Sequence, residues 1–165
     1  MYISRSLFTI ALLALLGGFS SAAQAADSAI KVMSIAQVET ETVGKDGTKI
    51  LKRSLVEKAV PGTVVIYTTT FKNIIKKPVG KIVIDNPIPN ASEYKAGSAF
   101  GKDCDILFSV DGGKTFGHAE ELTVKDADGK ARPALDKDYT NIRWIYKKQL
   151  AAGKSGEVGF RASIK

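Results

Sequence analysis

Side chains able to act as nucleophiles or metal ligands are scarce in this sequence. His118 is the only histidine and Cys104 the only cysteine among 165 residues. A site with several histidine ligands and an intramolecular disulfide are therefore both excluded. Asp103 and Asp105 flank Cys104, and neighbouring carboxylates disfavour the thiolate form that reacts. We expect neither Cys104 nor His118 to have a chemical role.

One acidic segment begins like a calcium-binding loop but does not continue as one. Asp126 and Asp128 stand at the first and third positions, whereas Lys130, Arg132 and Lys137 fall where the twelve-residue pattern needs oxygen ligands. Nothing in the spacing of the 17 acidic residues selects a pair for glycoside hydrolysis. The sequence therefore predicts a turn at residues 126–130, no metal or cofactor site, and no enzymatic activity.

The segment Ser109–Phe116 reads S-V-D-G-G-K-T-F. It resembles the Asp box found on the blades of sialidase-like propellers, where the motif recurs once per blade. A single copy cannot make a propeller. The carboxylate of Asp111 can accept hydrogen bonds from backbone N–H groups of a turn, and the two glycines permit positive φ. We expect a structural turn, with Phe116 returning to the core.

Basic side chains outnumber acidic ones, 24 to 17, for a net charge of +7. The clusters are Lys72, Lys76, Lys77 and Lys81 around one loop, Lys147, Lys148 and Lys154 around another, and Lys45, Lys49, Lys52 and Arg53 along an early hairpin. Positive loops attract anionic groups with salt-dependent affinity. Lysines on edge strands also prevent aggregation between sheets, which requires no ligand. The candidate anion-binding residues are Lys72, Lys76, Lys77, Lys81, Lys147 and Lys148.

The first 25 residues have the pattern of a cleavable secretory signal peptide. Arg5 precedes an apolar run at residues 7–16, and small residues follow, with Ala23 and Ala25 where a signal peptidase requires minimal side chains. The run is shorter than the roughly 20 apolar residues of a spanning helix. We expect cleavage after Ala25, a periplasmic or secreted product, and one domain at residues 26–165.

A period of two dominates the rest of the chain, and no dozen residues carry apolar side chains at helical spacing. Alternation is clearest in Val158–Ile164 and in Ile142–Tyr146, which places Trp144 in the core. Val64–Phe71 and Ile82–Ile84 are rich in β-branched residues, which predicts strands near the middle of a sheet.

The early part of the chain has the pattern of a hairpin. Lys31–Val43 and Lys49–Glu57 are strand-like, and residues 44–47 form the expected turn between them. Counting the remaining alternating runs, about eight short strands separated by turns favour a β-sandwich.

The order of motifs resembles a bacterial family called the conserved repeat domain, or domain of unknown function eleven. The segments that carry the resemblance are Val60–Asn73, Asp85–Pro89, Tyr94–Ser98, Ser109–Phe116, Ile142–Trp144 and Ala152–Phe160. Asn86 and Ala152 depart from the family pattern, both in turns. The resemblance implies an immunoglobulin-like antiparallel sandwich of about seven to nine strands, found in exported proteins, and no catalytic residues.

We therefore expect an exported, non-enzymatic module that binds another protein of the cell envelope or its surroundings. The alternative is a module that binds anionic polysaccharide, lipopolysaccharide or lipid head groups through the lysine loops. Nucleic acid is not the expected partner. Because fold-level kinship is a poor guide to function, the site itself has to decide between these hypotheses.

Overall fold

The computed structural model describes residues 29–43, 48–56, 58 and 60–165. Eleven strands lie within these ranges, together with two 3-10 helices at Ala119–Glu121 and Asp136–Asp138. The strands are β1 (Ile30–Val43), β2 (Lys49–Leu55), β3 (Val64–Asn73), β4 (Val83–Pro87), β5 (Ser92–Tyr94), β6 (Phe100–Gly101), β7 (Cys104–Ser109), β8 (Thr123–Lys125), β9 (Ala131–Pro133), β10 (Asn141–Tyr146) and β11 (Ser155–Ile164).

All strand pairs are antiparallel and form two main sheets. The larger sheet has the order β2-β1-β3-β11-β5, with β6 also paired to β11, and the smaller has the order β4-β10-β7. Strands β8 and β9 form a separate pair. The predicted all-β, immunoglobulin-like antiparallel sandwich is confirmed, but the strand number exceeds seven to nine. Four of the eleven strands have only two or three residues, too few to produce an alternating pattern.

The core lies between the two main sheets. Trp144 and Ile142 of β10 are fully buried and face Phe71 of β3 and Phe160 of β11. The rings of Trp144 and Phe160 are stacked, with centroids 6.3 Å apart. The alternation along β10 and β11 thus points the apolar side chains at the opposite sheet, as the sequence predicts.

Strand β3 is central, as predicted, but the expectation for Ile82–Ile84 is wrong. β3 lies between β1 and β11, whereas β4 is an edge strand that pairs only with β10 in the described part of the chain. Ile82 and Ile84 are buried, but Val83 between them is 49% exposed. One buried face was enough to produce a β-branched run that resembles a central strand.

The predicted hairpin strands near the N-terminus are present. Residues 37–43 of β1 pair with residues 49–55 of β2. The predicted turn at residues 44–47 and the predicted signal peptide at residues 1–25 lie outside the described residues.

Within the described ranges, no helix combines the length and the apolar character needed to cross a membrane.

Candidate functional site

Two loops that are far apart in sequence meet at one end of the sandwich. The first follows β3 and covers residues 74–82, and the second follows β10 and covers residues 147–154. Backbone hydrogen bonds join them directly: Val79 donates to the carbonyl of Leu150 over 3.0 Å, and Leu150 donates to the carbonyl of Val79 over 2.7 Å. Both lysine loops predicted from the sequence therefore belong to one surface.

Asn73, the last residue of β3, holds the two loops together. Its side chain is fully buried, and Nδ2 donates to the carbonyls of Lys77 and Leu150, each over 2.8 Å. Oδ1 accepts from the backbone N–H of Ile75 over 3.0 Å. The main-chain N–H of Asn73 donates to the carbonyl of Lys154 over 2.9 Å. The buried residue therefore has partners for both its side-chain amide and its main-chain N–H. The positions of both loops thus depend on one side chain.

All six candidate anion-binding lysines lie at this end of the molecule, which we call the basic end. Its lysines are Lys31, Lys72, Lys76, Lys77, Lys81, Lys102, Lys147, Lys148 and Lys154, and all are exposed. Lys31 is paired in register with Lys72, which is in turn opposite Ser155. The lysines of the early hairpin are elsewhere, on β2, and Lys45 lies outside the described residues.

Carboxylates offset only part of this charge. Lys148 Nζ lies 2.9 Å from Asp103, and Lys147 Nζ lies 3.7 Å from Asp105. In the part of the chain that the structure describes, Lys72, Lys76, Lys77, Lys81 and Lys154 make no ion pair. Of these lysines, Lys72 and Lys76 line a shallow depression of about 500 Å³ between residues 72–76 and residues 152–153. This depression can receive an anionic group without displacing an acid.

Cys104 stands beside the basic end, in surroundings that favour the protonated form of its thiol. Partial burial raises the pKa of the Cys104 thiol, and the negative charge of Asp103 raises it further, while Lys147 acts in the opposite direction. The Sγ atom donates to the carbonyl of Lys102 over 3.5 Å. A thiol in its protonated form is a poor nucleophile. That Cys104 has no chemical role stays a prediction.

A second distinctive surface is the two-stranded arm formed by residues 39–43 of β1 and by β2. Strand β1 pairs with β3 only as far as Val38, so the rest of β1 pairs with β2 alone among the described residues. All seven residues of β2 are exposed, including Ile50, Leu51 and Leu55. Isolated two-stranded hairpins are marginally stable in water, so this arm needs support from elsewhere.

Glu39 supplies part of that support. Its carboxylate accepts from Arg161 of β11 over 2.6 and 3.2 Å and from Arg53 of β2 over 2.9 Å. These hydrogen bonds, first from Arg161 and then from Arg53, lower the pKa of Glu39 to about 2. One carboxylate therefore joins the arm to the central strands of the larger sheet.

Among the described residues, no strand pairs with the outer edge of β2. Val56 donates its N–H to the carbonyl of Ala36. Because hydrogen-bonded pairs alternate along an antiparallel ladder, the even-numbered residues of β2 are the ones whose backbone groups bond to β1. The hydroxyls of Thr40 and Thr42 add bonds to the carbonyls of Lys52 and Ile50. Backbone groups alternate in direction along a strand, so those of Leu51, Arg53 and Leu55 point outward.

The Asp box segment forms the predicted turn. Asp111 accepts from the backbone N–H groups of Lys114 and Thr115 and from the Thr115 hydroxyl, which lies 2.6 Å away. These bonds lower the pKa of Asp111 strongly. The expectation that Phe116 returns to the core is wrong. Phe116 is half-buried, and its ring packs under the Arg143 guanidinium at 3.8 Å, where a cation–π contact replaces core packing.

The remaining candidate residues have structural contacts. The carboxylate of Asp126 accepts from the backbone N–H groups of Asp128 and Lys130, closing the predicted turn. His118 precedes the first 3-10 helix, and its backbone N–H donates to Glu121. Among the described residues, no three His, Cys, Asp or Glu side chains come together as metal ligands would.

A cleft of about 320 Å³ opens between the sheets beside β1 and β4. The stacked rings of Tyr67 and Phe160 form its floor, with centroids 5.0 Å apart. Its polar side chains bond to one another, because Thr69 Oγ1 lies 2.8 Å from both Ser34 Oγ and Asn86 Nδ2. No carboxylate, histidine or lysine is among its lining residues, so the cleft offers no acid–base pair near neutral pH.

Sequence reasoning missed three contributors to these surfaces. Lys31 escaped notice because it is isolated in sequence, and pairing with β3 alone brings it beside Lys72. Glu39 and Arg161 are 122 residues apart, so no local pattern could have connected them. Asn73 did carry a signal, since it belongs to the motif behind the family resemblance, but its role in holding the loops was not apparent.

Replacing Asn73 should loosen the basic end. In Asn73→Ala, two carbonyls lose their donor and the N–H of Ile75 loses its acceptor, so we expect the free energy of unfolding to fall by roughly 2–4 kcal/mol. Urea denaturation measures this loss, and hydrogen exchange should show faster exchange at the amide of Leu150. The control, Asn90→Ala, changes an exposed turn residue and should stay within about 0.5 kcal/mol of the unaltered protein. Equal stability of the two variants would contradict the role of Asn73.

Replacing Glu39 should make stability less dependent on acid pH. The folded-state pKa of about 2 lies below the ordinary value of 4.5, so ionised Glu39 stabilises the fold above about pH 4.5. This contribution disappears as the pH falls from 4.5 to 2. Glu39→Gln should therefore lower the melting temperature at pH 7, and the difference from the unaltered protein should shrink towards pH 2. Glu93→Gln, at an exposed position, serves as the control. A difference that does not change with pH would refute this assignment.

Comparisons of the chain with protein-family models, with curated proteins and with solved structures find no match. Membership of the conserved repeat domain family therefore stays a prediction, and function has to be argued from the surfaces described above.

Proposed function

We propose that this chain is an exported, non-enzymatic β-sandwich module that binds another envelope protein by strand addition at the open edge of β2. The observation that carries the proposal is the combination of outward backbone groups with exposed apolar side chains on one strand. Leu51, which is 64% exposed, lies at the middle of this edge. Strand addition uses such an edge: backbone hydrogen bonds supply affinity, and alternate side chains supply specificity.

The edge of β4 is protected in a way that the edge of β2 is not. Tyr146 donates to the carbonyl of Ile82, so the odd-numbered residues of β4 have the outward backbone groups. One of these is Pro87, which has no N–H to offer, and another is Asp85, which is bound by Arg143 over 2.7 and 2.8 Å. Proline and charge are the usual means of blocking an edge strand.

The charges of β2 favour an acidic partner strand over a second copy of this chain. Lys49 and Arg53 are already paired with Glu41 and Glu39, which leaves Lys52 as the unpaired cation of β2 within the described residues. Full antiparallel overlap of two β2 strands would place Lys52 opposite Lys52, and like charges directly opposite one another are destabilising. A partner strand with an acidic residue at this position and apolar neighbours fits better.

The test places a photo-reactive amino acid at position 55 and irradiates intact cells of the native host. We expect a discrete protein adduct, and Leu51→Pro should weaken it by about tenfold because proline blocks the outward edge. Val83→Pro makes the same change on the β4 edge and should leave the adduct intact. Leu51→Glu is a second variant that keeps the backbone unchanged and should also weaken the adduct by repulsion.

Several outcomes would count against the proposal. An adduct of equal intensity in the Leu51 variants and in Val83→Pro would show that β2 is not the docking edge. No adduct at all, or an adduct with the mass of two copies of this chain, would rule out a distinct envelope partner. Recovery of the chain from the cytoplasm of the same cells would refute export.

A second candidate function is binding of anionic groups at the basic end. It is favoured by the way Asn73 fixes both lysine loops in one surface, since pre-positioned charges bind with less loss of conformational freedom.

On a heparin column, the protein should be retained at low salt, and Lys76→Gln with Lys77→Gln should elute at a lower salt concentration. Lys125→Gln with Lys130→Gln removes the same charge from the β8–β9 pair and should elute with the unaltered protein. Co-elution of both double variants would refute a specific basic end.

A further inference from the structure

We propose that the basic end docks on a membrane surface whose lipids carry anionic phosphate head groups, with Ile74 entering the head-group layer. This inference rests on the second candidate function, anion binding at the basic end, and specifies its ligand. The feature behind it is the exposed apolar side chain of Ile74, in the lining of a depression that it shares with Lys72 and Lys76. A soluble polyanion has no apolar layer for this side chain to enter, whereas a membrane does.

Ile74 is 56% exposed. In sequence it stands between Lys72 and Lys76, with Lys77 next. In space it belongs to the lining of the depression that Lys72 and Lys76 share with residues 152–153. An apolar residue beside lysines matches the layered chemistry of a bilayer surface, with phosphates outside and acyl chains below.

The backbone holds Ile74 in place. Its N–H donates to the carbonyl of Ala29 over 3.0 Å, and the next N–H, that of Ile75, donates to Oδ1 of Asn73 over 3.0 Å. Asn73 is itself fully buried. The exposed side chain is therefore presented on a fixed support, and little ordering of the loop is needed when it contacts a surface.

The charge at this end favours association with an anionic membrane surface. Five lysines make no ion pair in the described part of the chain and are attracted to an anionic surface: Lys72, Lys76, Lys77, Lys81 and Lys154. Glu157 is the nearest acid on β11, two residues beyond the Ser155–Lys72 pair. Neither a single apolar residue nor a few lysines alone gives stable anchoring, but the two signals together strengthen attachment.

The aromatic side chains nearest the depression do not favour a polysaccharide or nucleic acid as the ligand. Stacking of bases or sugars needs an exposed ring. Here Phe71 is buried, and Tyr146 packs edge-on against it with centroids 5.6 Å apart. Phe100 is 39% exposed but is not among the residues that line the depression. The aliphatic tip of Ile74 therefore fits lipid better than either polymer.

The test measures sedimentation of the protein recovered from exporting cells with phosphatidylcholine vesicles, with and without phosphatidylglycerol. We expect binding only to the anionic vesicles, and weaker binding at high salt because the Debye length shortens. Lys76→Gln with Lys77→Gln should weaken binding by about tenfold or more. Ile74→Ser should weaken it by roughly threefold to tenfold, since an exposed isoleucine is lost without any change of charge. Lys125→Gln with Lys130→Gln should bind like the unaltered protein.

The outcomes separate this inference from the function on which it rests. Equal vesicle binding by Ile74→Ser and the unaltered protein would overturn membrane docking, while retention on heparin would leave anion binding standing. Failure to bind either vesicles or heparin would overturn both. Because Ile74 is exposed, Ile74→Ser should keep the melting temperature of the unaltered protein, and a second variant, Ile74→Lys, tests whether charge alone can replace the apolar tip. Unimpaired binding by Ile74→Lys would also overturn the inference.

Discussion

The buried amide of Asn73 is the interaction on which the candidate site depends. A fully buried polar side chain is tolerated only when its donors and acceptor are all paired, and here every partner comes from one of the two loops. The two loops can be correctly placed only if β3, β10 and β11 have already assembled. The same amide therefore links the core of the sandwich to the arrangement of charge on its surface.

Charged side chains have different roles at the two ends of the molecule. At the basic end, the structure keeps many ammonium groups close together, and few carboxylates reduce their repulsion. At the arm, Glu39 joins two arginines on different strands, so charge is used to hold backbone in place. Surface ion pairs contribute little individually, but a carboxylate shared by two guanidinium groups lies partly shielded from solvent and restrains both strands.

The edge strands of the two sheets also differ in how accessible they are to another strand. On β4, Pro87 and the Asp85–Arg143 pair obstruct the approach of another strand. On β2, the charged residues pair within the arm, and the apolar ones remain exposed. A protein that protects one edge and leaves another open has a surface suited to pairing, and the proposed function follows from this contrast.

Local sequence was sufficient to predict the strand alternation and the turns, because these depend on neighbouring residues. The alternation of Val158–Ile164 predicts which side chains of β11 enter the core, because successive side chains of a strand point to opposite faces. The turn at Asp111 was likewise predictable, since its hydrogen bonds close within four residues. The absence of a multi-histidine site followed from composition alone.

Tertiary structure decided whatever depends on partners distant in the chain. Whether a β-branched run is central or at an edge depends on the strands that pair with it, which is why Ile82–Ile84 was misplaced and Val64–Phe71 was not. Phe116 packs against Arg143 and not in the core because β10, far along the chain, brings the guanidinium over its ring. The lysines after β3 and β10 were visible as two clusters, but only the pairing of β3 with β11 and the bonds of Asn73 make them one surface. The sequence shows which residues carry charge, whereas the fold determines which of these residues lie close together.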